Sequence, residues 1–183
     1  FPSLTSTDEG YALVWYDERI RNDAFYARLD ADAARAGDDV RLSTESSLAA
    51  EPQVAWTGAE IAVAWDEFRD GNSEIYIVRI DKDGHKLAPD LRVSSTLTSS
   101  ARPTIAASRG EVGVAWVEAL EDRGTENEEI FAARIVGGKL AGTPVRLSNA
   151  RGSSYAPSVG AGPDGVMRVG WHDWRAVDQA DVW

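Results

Sequence analysis

Four tryptophans that close short apolar runs recur at nearly equal intervals, and that period constrains the fold more than any other feature. They are Trp15, Trp65, Trp116 and Trp171, in steps of 50, 51 and 55 residues. Pro2, Pro52, Pro103 and Pro157 step by 50, 51 and 54. Arg41-Leu42-Ser43, Arg92-Val93-Ser94 and Arg146-Leu147-Ser148 step by 51 and 54. An acid, an apolar residue and an aromatic recur as Asp23-Ala24-Phe25, Glu74-Ile75-Tyr76, Glu129-Ile130-Phe131 and Asp181-Val182-Trp183. Four independent markers in one register define an internal repeat of about fifty residues.

Each unit reads as strands. In the second, Pro52–Trp56 gives a short first strand and Thr57-Gly58-Ala59-Glu60 a turn. Ile61–Trp65 is a continuous apolar run, as in a strand covered on both faces. Asp70-Gly71-Asn72 supplies turn chemistry, Glu74–Asp81 a β-branched and aromatic third strand, and Asp83-Gly84 the next turn before a short outer strand at Leu91–Ser94. A four-stranded meander with apolar residues on both faces needs neighbours on both sides, and radial stacking supplies them. The sequence therefore predicts an all-β chain, a β-propeller of four antiparallel four-stranded blades at about 1–50, 51–101, 102–155 and 156–183. Trp15, Trp65, Trp116 and Trp171 are assigned to the blade core. Trp56 and Trp174 stand outside the repeat and are candidates for a surface role.

The fourth unit ends in its third strand, so it lacks an outer strand, and Phe1 opens directly on a first strand. The expectation is a partial ring, completed by the remainder of a longer chain or by self-association into a two-chain ring, since an open blade edge favours association.

Trp15-Tyr16-Asp17-Glu18-Arg19, Trp65-Asp66-Glu67-Phe68-Arg69-Asp70-Gly71 and Trp171-His172-Asp173-Trp174-Arg175 carry a resemblance to the bacterial propeller repeats grouped with the BNR and sialidase-like families. The third unit departs from it, reading Trp116-Val117-Glu118-Ala119-Leu120, which keeps the acid and loses the arginine; its loop grows across Glu121–Glu128, where Arg123 is a substitute guanidinium. The sialidase Asp box is approached only by Ser6-Thr7-Asp8-Glu9-Gly10, between the first and second strands rather than the third and fourth.

Residues two apart on a strand share a face, so each Trp-x-acid-x-Arg element aligns an indole, a carboxylate and a guanidinium. Recurrence in successive units favours a structural use for Asp17, Glu67, Glu118 and Asp173, with an arginine–carboxylate fork tying one blade to the next. Arg28, Arg79 and Arg134 recur in the third strand and take the same reading. The alternative turns Arg19, Arg69 and Arg175 toward the propeller mouth, with Trp174 and Tyr155, as a ligand-binding rim. That rim also carries the Ser-, Thr- and Asn-rich connections Ser43–Glu51, Ser94–Arg102 and Ser148–Ala156.

Composition narrows the function. A formal net charge of −11 opposes nucleic-acid binding, which needs clustered Lys and Arg. Absence of cysteine excludes disulfides and thiolate chemistry, and His85 and His172 stand 87 residues apart. The aspartates at Asp30, Asp32, Asp38, Asp39, Asp81 and Asp83 suit turns better than a calcium loop, so neither metal nor cofactor is expected. No stretch is apolar enough to span a membrane. The leading expectation is a non-catalytic scaffold binding carbohydrate or protein, secreted or displayed on a bacterial surface, with no residue assigned to catalysis. The alternative is a fragment of a sialidase-like glycoside hydrolase, which would recruit Asp17, Asp173, Arg19, Arg69, Arg175 and Tyr155.

Overall fold

The computed structural model describes every residue except Phe1, 19–21, 45–47, Asp70, 123–124, Arg151, 177–178 and Trp183, and only the backbone of 122, 125–126, 175–176 and 179–181. The described residues form sixteen strands and no helix, and hence no helix able to cross a membrane. The first sheet is β1 (Ser3–Thr7), β2 (Gly10–Asp17), β3 (Asp23–Leu29) and β4 (Val40–Arg41). The second is β5 (Leu48–Trp56), β6 (Ile61–Phe68), β7 (Ser73–Ile80) and β8 (Leu91–Arg92). The third is β9 (Ser100–Ser108), β10 (Glu111–Asp122) and β11 (Thr125–Val136), with an outer edge split into β12 (Lys139–Leu140) and β13 (Val145–Arg146). The fourth holds β14 (Ser154–Ala161), β15 (Met167–Ala176) and β16 (Gln179–Val182). Every sheet runs in chain order with antiparallel pairing, the propeller-blade meander.

The first strands touch in sequence, β1 on β5, β5 on β9 and β9 on β14, so they line a common axis. Between them the layers fill from alternating faces. Ile61, Val63 and Trp65 of β6 meet Ala12, Val14, Tyr26 and Leu42 of the first sheet. Ala62, Ala64, Ile75 and Ile77 meet Val112, Val114 and Trp116 of the third. Trp65 is 0% exposed and Trp116 1%, so both indoles are wedged between meanders. Trp56, expected at the surface, is partly buried and also packs on the first of these layers. Trp15 lies on the face of the first sheet turned away from the second, stacked on Phe25 at 5.8 Å beneath the Arg35 guanidinium. The third interface is looser, with a crevice of about 310 Å³ lined by Val114, Val145, Leu147, Val159, Met167 and Val169 among others.

Two features differ from the sequence reading. The first strands of the second, third and fourth sheets begin before their prolines, and Glu51, Arg102 and Ala156 take φ of 46°, 55° and 51° immediately before Pro52, Pro103 and Pro157. Proline cannot donate to the ladder, and the bulge at each site lets pairing resume on its far side. The enlarged segment of the third unit is also a hairpin extension rather than a loop: Leu120 pairs with Asn127, Glu121 with Glu126 and Asp122 with Thr125.

Candidate functional site

The repeated acids are consumed by the fold. Glu74 accepts from the Ser94 hydroxyl, from Arg92 at 2.8 Å and from the Thr96 amide at 2.9 Å. Burial acts to raise its pKa, but these donors outweigh burial and hold it below the usual carboxylate range. Glu129 repeats the arrangement with Ser148 and with Arg146 at 2.7 Å, and Asp23 with Ser43 at 3.0 Å and Arg41 at 2.6 Å. The next inner strand closes the Glu74 and Glu129 joints: Ser100 Oγ lies 2.6 Å from Glu118 and 3.3 Å from Glu74, and Ser154 Oγ 3.2 Å from Glu129, whereas Ala49 holds the matching position after Asp23. The recurring Arg-apolar-Ser and acid markers are therefore one hydrogen-bonded joint between blades.

Arg69 belongs to that framework. Its guanidinium pairs with Glu67 and, at 3.0 Å, with Asp90, and lies 3.9 Å from the Tyr76 ring centre. Both carboxylates sit in its own sheet, so this fork braces one blade rather than tying it to the next. Arg79 and Arg134 likewise brace their own blades, on Glu60 and Glu111, whereas Arg28 reaches Asp83 of the second sheet. Asp17 stands opposite Asp23 in the ladder, and Asp173, 0% exposed, accepts from Trp171 Nε1 at 3.4 Å. Arg19, Arg123 and the Arg175 side chain lie outside the described residues.

Chemistry gathers instead where the inner strands meet the rim formed by the blade-to-blade connections. Asp66 occupies β6 between Trp65 and Glu67 and points the opposite way, toward the third sheet. There it accepts the Arg102 amide at 3.4 Å, freed from the ladder by the bulge, and the Ser73 hydroxyl at 3.2 Å. Burial and then the neighbouring Glu51 carboxylate push its pKa up to about 6, against those two hydrogen bonds. The Arg102 guanidinium turns the other way and stands 3.8 Å from Glu128. Glu128 borders an open cleft of about 470 Å³ with Thr98, Ser99, Leu120, Asn127 and Ser153 among its walls. Arg102 thus links a protonatable buried carboxyl group to a polar recess of ligand size. Tyr155 and Trp174, both named from sequence, meet on the fourth sheet, where the indole N–H donates to the phenol oxygen. Asp66, Glu51 and Arg102 were not singled out, because Asp66 replaces Tyr16, Val117 and His172 of the other units at a position of the motif that does not repeat.

The opposite rim carries turns. Asp30 accepts the amides of Asp32 and Ala34, and Asp81 those of Asp83 and His85. Asp81, Asp83 and His85 bring their ligand atoms within 4.8 Å of one another, but Asp83 also pairs with Arg28 at 3.1 Å, and the backbone bonds account for Asp81 as a turn residue.

No family model and no curated protein matches this chain. Solved structures do resemble it in fold. A thermostable family-43 glycoside hydrolase is 12% identical with a TM-score of 0.57, over 99% of this chain and 69% of that one. An N-acetylgalactosamine deacetylase from F. plautii, in complex with blood group B trisaccharide, is 8% identical with a TM-score of 0.61, over 99% and 68%. An α-L-arabinanase from Cellvibrio cellulosa, complexed with arabinohexaose, is 13% identical with a TM-score of 0.54, over 99% and 71%. The likeness supports a partial propeller; at such identities it speaks for fold alone.

Proposed function

We propose that the axial mouth binds carbohydrate and hydrolyses a glycosidic bond, with Asp66 as proton donor and Glu51 as the second carboxyl group. The carrying observation is the contrast between Asp66 and the repeated acid Glu74: one is pushed up to about 6, the other held below the usual range. A carboxyl group that stays protonated near pH 6 can protonate a departing glycosidic oxygen, while the adjacent carboxylate stabilises developing positive charge. Arg102 positions Asp66 through its amide and reaches Glu128, a wall of the cleft where the sugar hydroxyls would sit, through its side chain. The structural neighbours support this reading, since those named above include glycoside hydrolases and complexes with oligosaccharides. Polysaccharide is met outside the cell, which fits a secreted or surface-displayed bacterial protein.

The test is release of reducing ends from arabinan, xylan, galactosides and a fluorogenic sialoside. Turnover by the native chain that is lost in Asp66→Asn supports the assignment, and turnover unchanged in that variant removes Asp66 from the chemistry. A sialoside as sole substrate would favour a sialidase-like activity. Binding without turnover is the second reading, favoured because Glu67, Glu74, Glu118, Glu129 and Asp173 are all fully buried in the framework.

A further inference from the structure

We infer that Phe68, with Leu48 beside it, is a stacking platform for a saccharide ring next to Asp66. This rests on the carbohydrate reading above and adds a subsite to it. Alternate residues of a strand share a face, so Phe68 follows Ala62, Ala64 and Asp66 on the side of β6 turned to the third sheet. It lies roughly 7 Å beyond Asp66 along the strand. Its ladder partners are Leu48 on β5 and Ser73 on β7, and Ser73 is the hydroxyl that Asp66 accepts. Phe68 is 50% exposed and Leu48 52%, so a ring and an aliphatic side chain stand side by side in water next to a buried carboxyl group.

Neither residue belongs to the repeat. Three positions after the repeat tryptophan the other units carry Glu18, Ala119 and Trp174, and four before the repeat proline the third and fourth carry Ser99 and Ser153. Asp66 is itself a departure, so the second unit alone joins an acid directly after the tryptophan to an exposed apolar pair. One exposed apolar side chain is ordinary; two in register beside a protonatable group suit a ligand with an apolar face. The exposure does not depend on the blades that complete the ring. The second and third sheets, which bound this face, are both in place and pack through Ala64, Ile75, Val114 and Trp116 in the layer beneath.

The platform adjoins the cleft. Asn72 donates its side-chain amide to the Thr96 carbonyl at 3.2 Å and to that of Thr98. Those bonds fix the hairpin after Phe68 against the connection whose Thr98 lines the cleft. Asp66 reaches the same cleft through Arg102 and Glu128. An oligosaccharide held there with a glycosidic oxygen at Asp66 would lay its next ring on Phe68. The apolar C–H face of the sugar packs on the aromatic plane, with Leu48 at its edge, while its hydroxyls remain available to Arg102 and to water. Phe68 has only two side-chain torsions to fix, so little entropy is lost on binding.

Arabinohexaose and xylohexaose are titrated calorimetrically into Asp66→Asn, which excludes turnover, and into the same chain carrying Phe68→Ala, Phe68→Tyr or Leu48→Ser. Phe68→Ala weakens binding about tenfold or more, Phe68→Tyr keeps most of it, and Leu48→Ser falls between. The urea midpoints stay at that of the parent, because both side chains are half-exposed. Equal affinity in Phe68→Ala, no binding of either sugar by the parent, or a loss of affinity matched by a fallen midpoint overturns the platform. The two readings separate cleanly. Phe68-dependent binding by a native chain that cleaves nothing leaves the platform standing and removes the hydrolase, whereas cleavage with Phe68-independent binding does the reverse.

Discussion

Trp116 donates its indole N–H to Glu118 at 2.8 Å, from two positions back on the same strand. The equivalent nitrogen of Trp65 is buried without a hydrogen-bond partner among the described residues. The difference traces to one residue. Arg69 pairs with Glu67 in the second sheet, whereas Leu120 holds the matching position in the third and leaves Glu118 to the indole. Thr96 and Ser100 add hydroxyl donors, so Glu118 binds the connection and inner strand of its neighbourhood as well as its own tryptophan.

Glu118→Ala would strand the buried Trp116 indole N–H, while Ser100 keeps Glu74 at 3.3 Å and Thr96, which is exposed, keeps the Thr98 carbonyl at 2.9 Å. The expected loss is about 2–3 kcal/mol, because an unmet buried donor forfeits its desolvation cost. Glu118→Gln keeps one acceptor and should lose clearly less. Urea unfolding of both variants checks the order, and an alanine variant within about 0.5 kcal/mol of the native chain would contradict the network.

Arg69→Leu should convert the second sheet to the pattern of the third. Glu67 would then lose the guanidinium and stand two positions from the Trp65 indole as Glu118 does from Trp116, and Asp90 would retain Lys86, which it already meets at 2.6 Å. The expected cost is about 1–2 kcal/mol, against about 3–5 kcal/mol for Glu67→Leu, which leaves the guanidinium half-paired over Tyr76. A shift in Trp65 fluorescence should accompany the arginine variant alone. Equal costs would mean that the indole gains nothing.

The propeller was legible because its markers are consequences of packing. Trp65 and Trp116, fifty-one residues apart, each fill an inter-sheet layer, and the Arg-apolar-Ser triplet recurs because Ser94 and Ser148 each hold the acid of the third strand. The site was not legible for the converse reason. Asp66 is recognisable only once Glu51 and the Arg102 amide are brought beside it, from first strands fifteen positions before and 36 after it in the chain. For the motif arginine Arg69, recurrence alone favoured the framework over the rim, and the contacts with Asp90 and Tyr76 are what the sequence did not show. Trp56 looked irregular in sequence, yet it packs against a layer whose buried members come from β2, β3, β5, β6 and β7, with Leu42.

Asp66 should impose a pH dependence opposite to that of the framework acids. Its folded pKa, about 6, lies above its ordinary value of 3.8, so the native state holds the proton more tightly than the unfolded chain. Stability from this group is fully present below about pH 4 and is lost as pH rises through 6. Over that window the difference amounts to about 3 kcal/mol. Asp66→Asn should remove it, making the variant more stable than the native chain at pH 7.5 and comparable at pH 4. Glu51→Gln should lower the Asp66 pKa and move the loss to lower pH. Melting temperatures at three pH values decide the matter, and parallel profiles for native and Asp66→Asn would show that Asp66 titrates normally.

Gly84 should be the least replaceable glycine at a blade junction. It turns the hairpin between β7 and β8 with φ of +85°, donates its amide to the Asp81 carbonyl at 3.1 Å and is buried against the first sheet. A Cβ added there would lie 2.9 Å from both Tyr26 Cδ1 and Val40 Cγ2, and Tyr26 cannot swing aside without losing its hydrogen bond to the Lys82 carbonyl at 2.7 Å. Gly71 has a similar backbone, φ of +102°, but an added Cβ meets nothing within 4 Å. The pair therefore separates conformational strain from steric overlap. Gly71→Ala should cost about 1 kcal/mol from backbone strain alone, and Gly84→Ala about 2–4 kcal/mol from strain and overpacking together. Unfolding midpoints of the two variants measure the difference, and equal losses would mean that the first and second sheets do not meet at this hairpin.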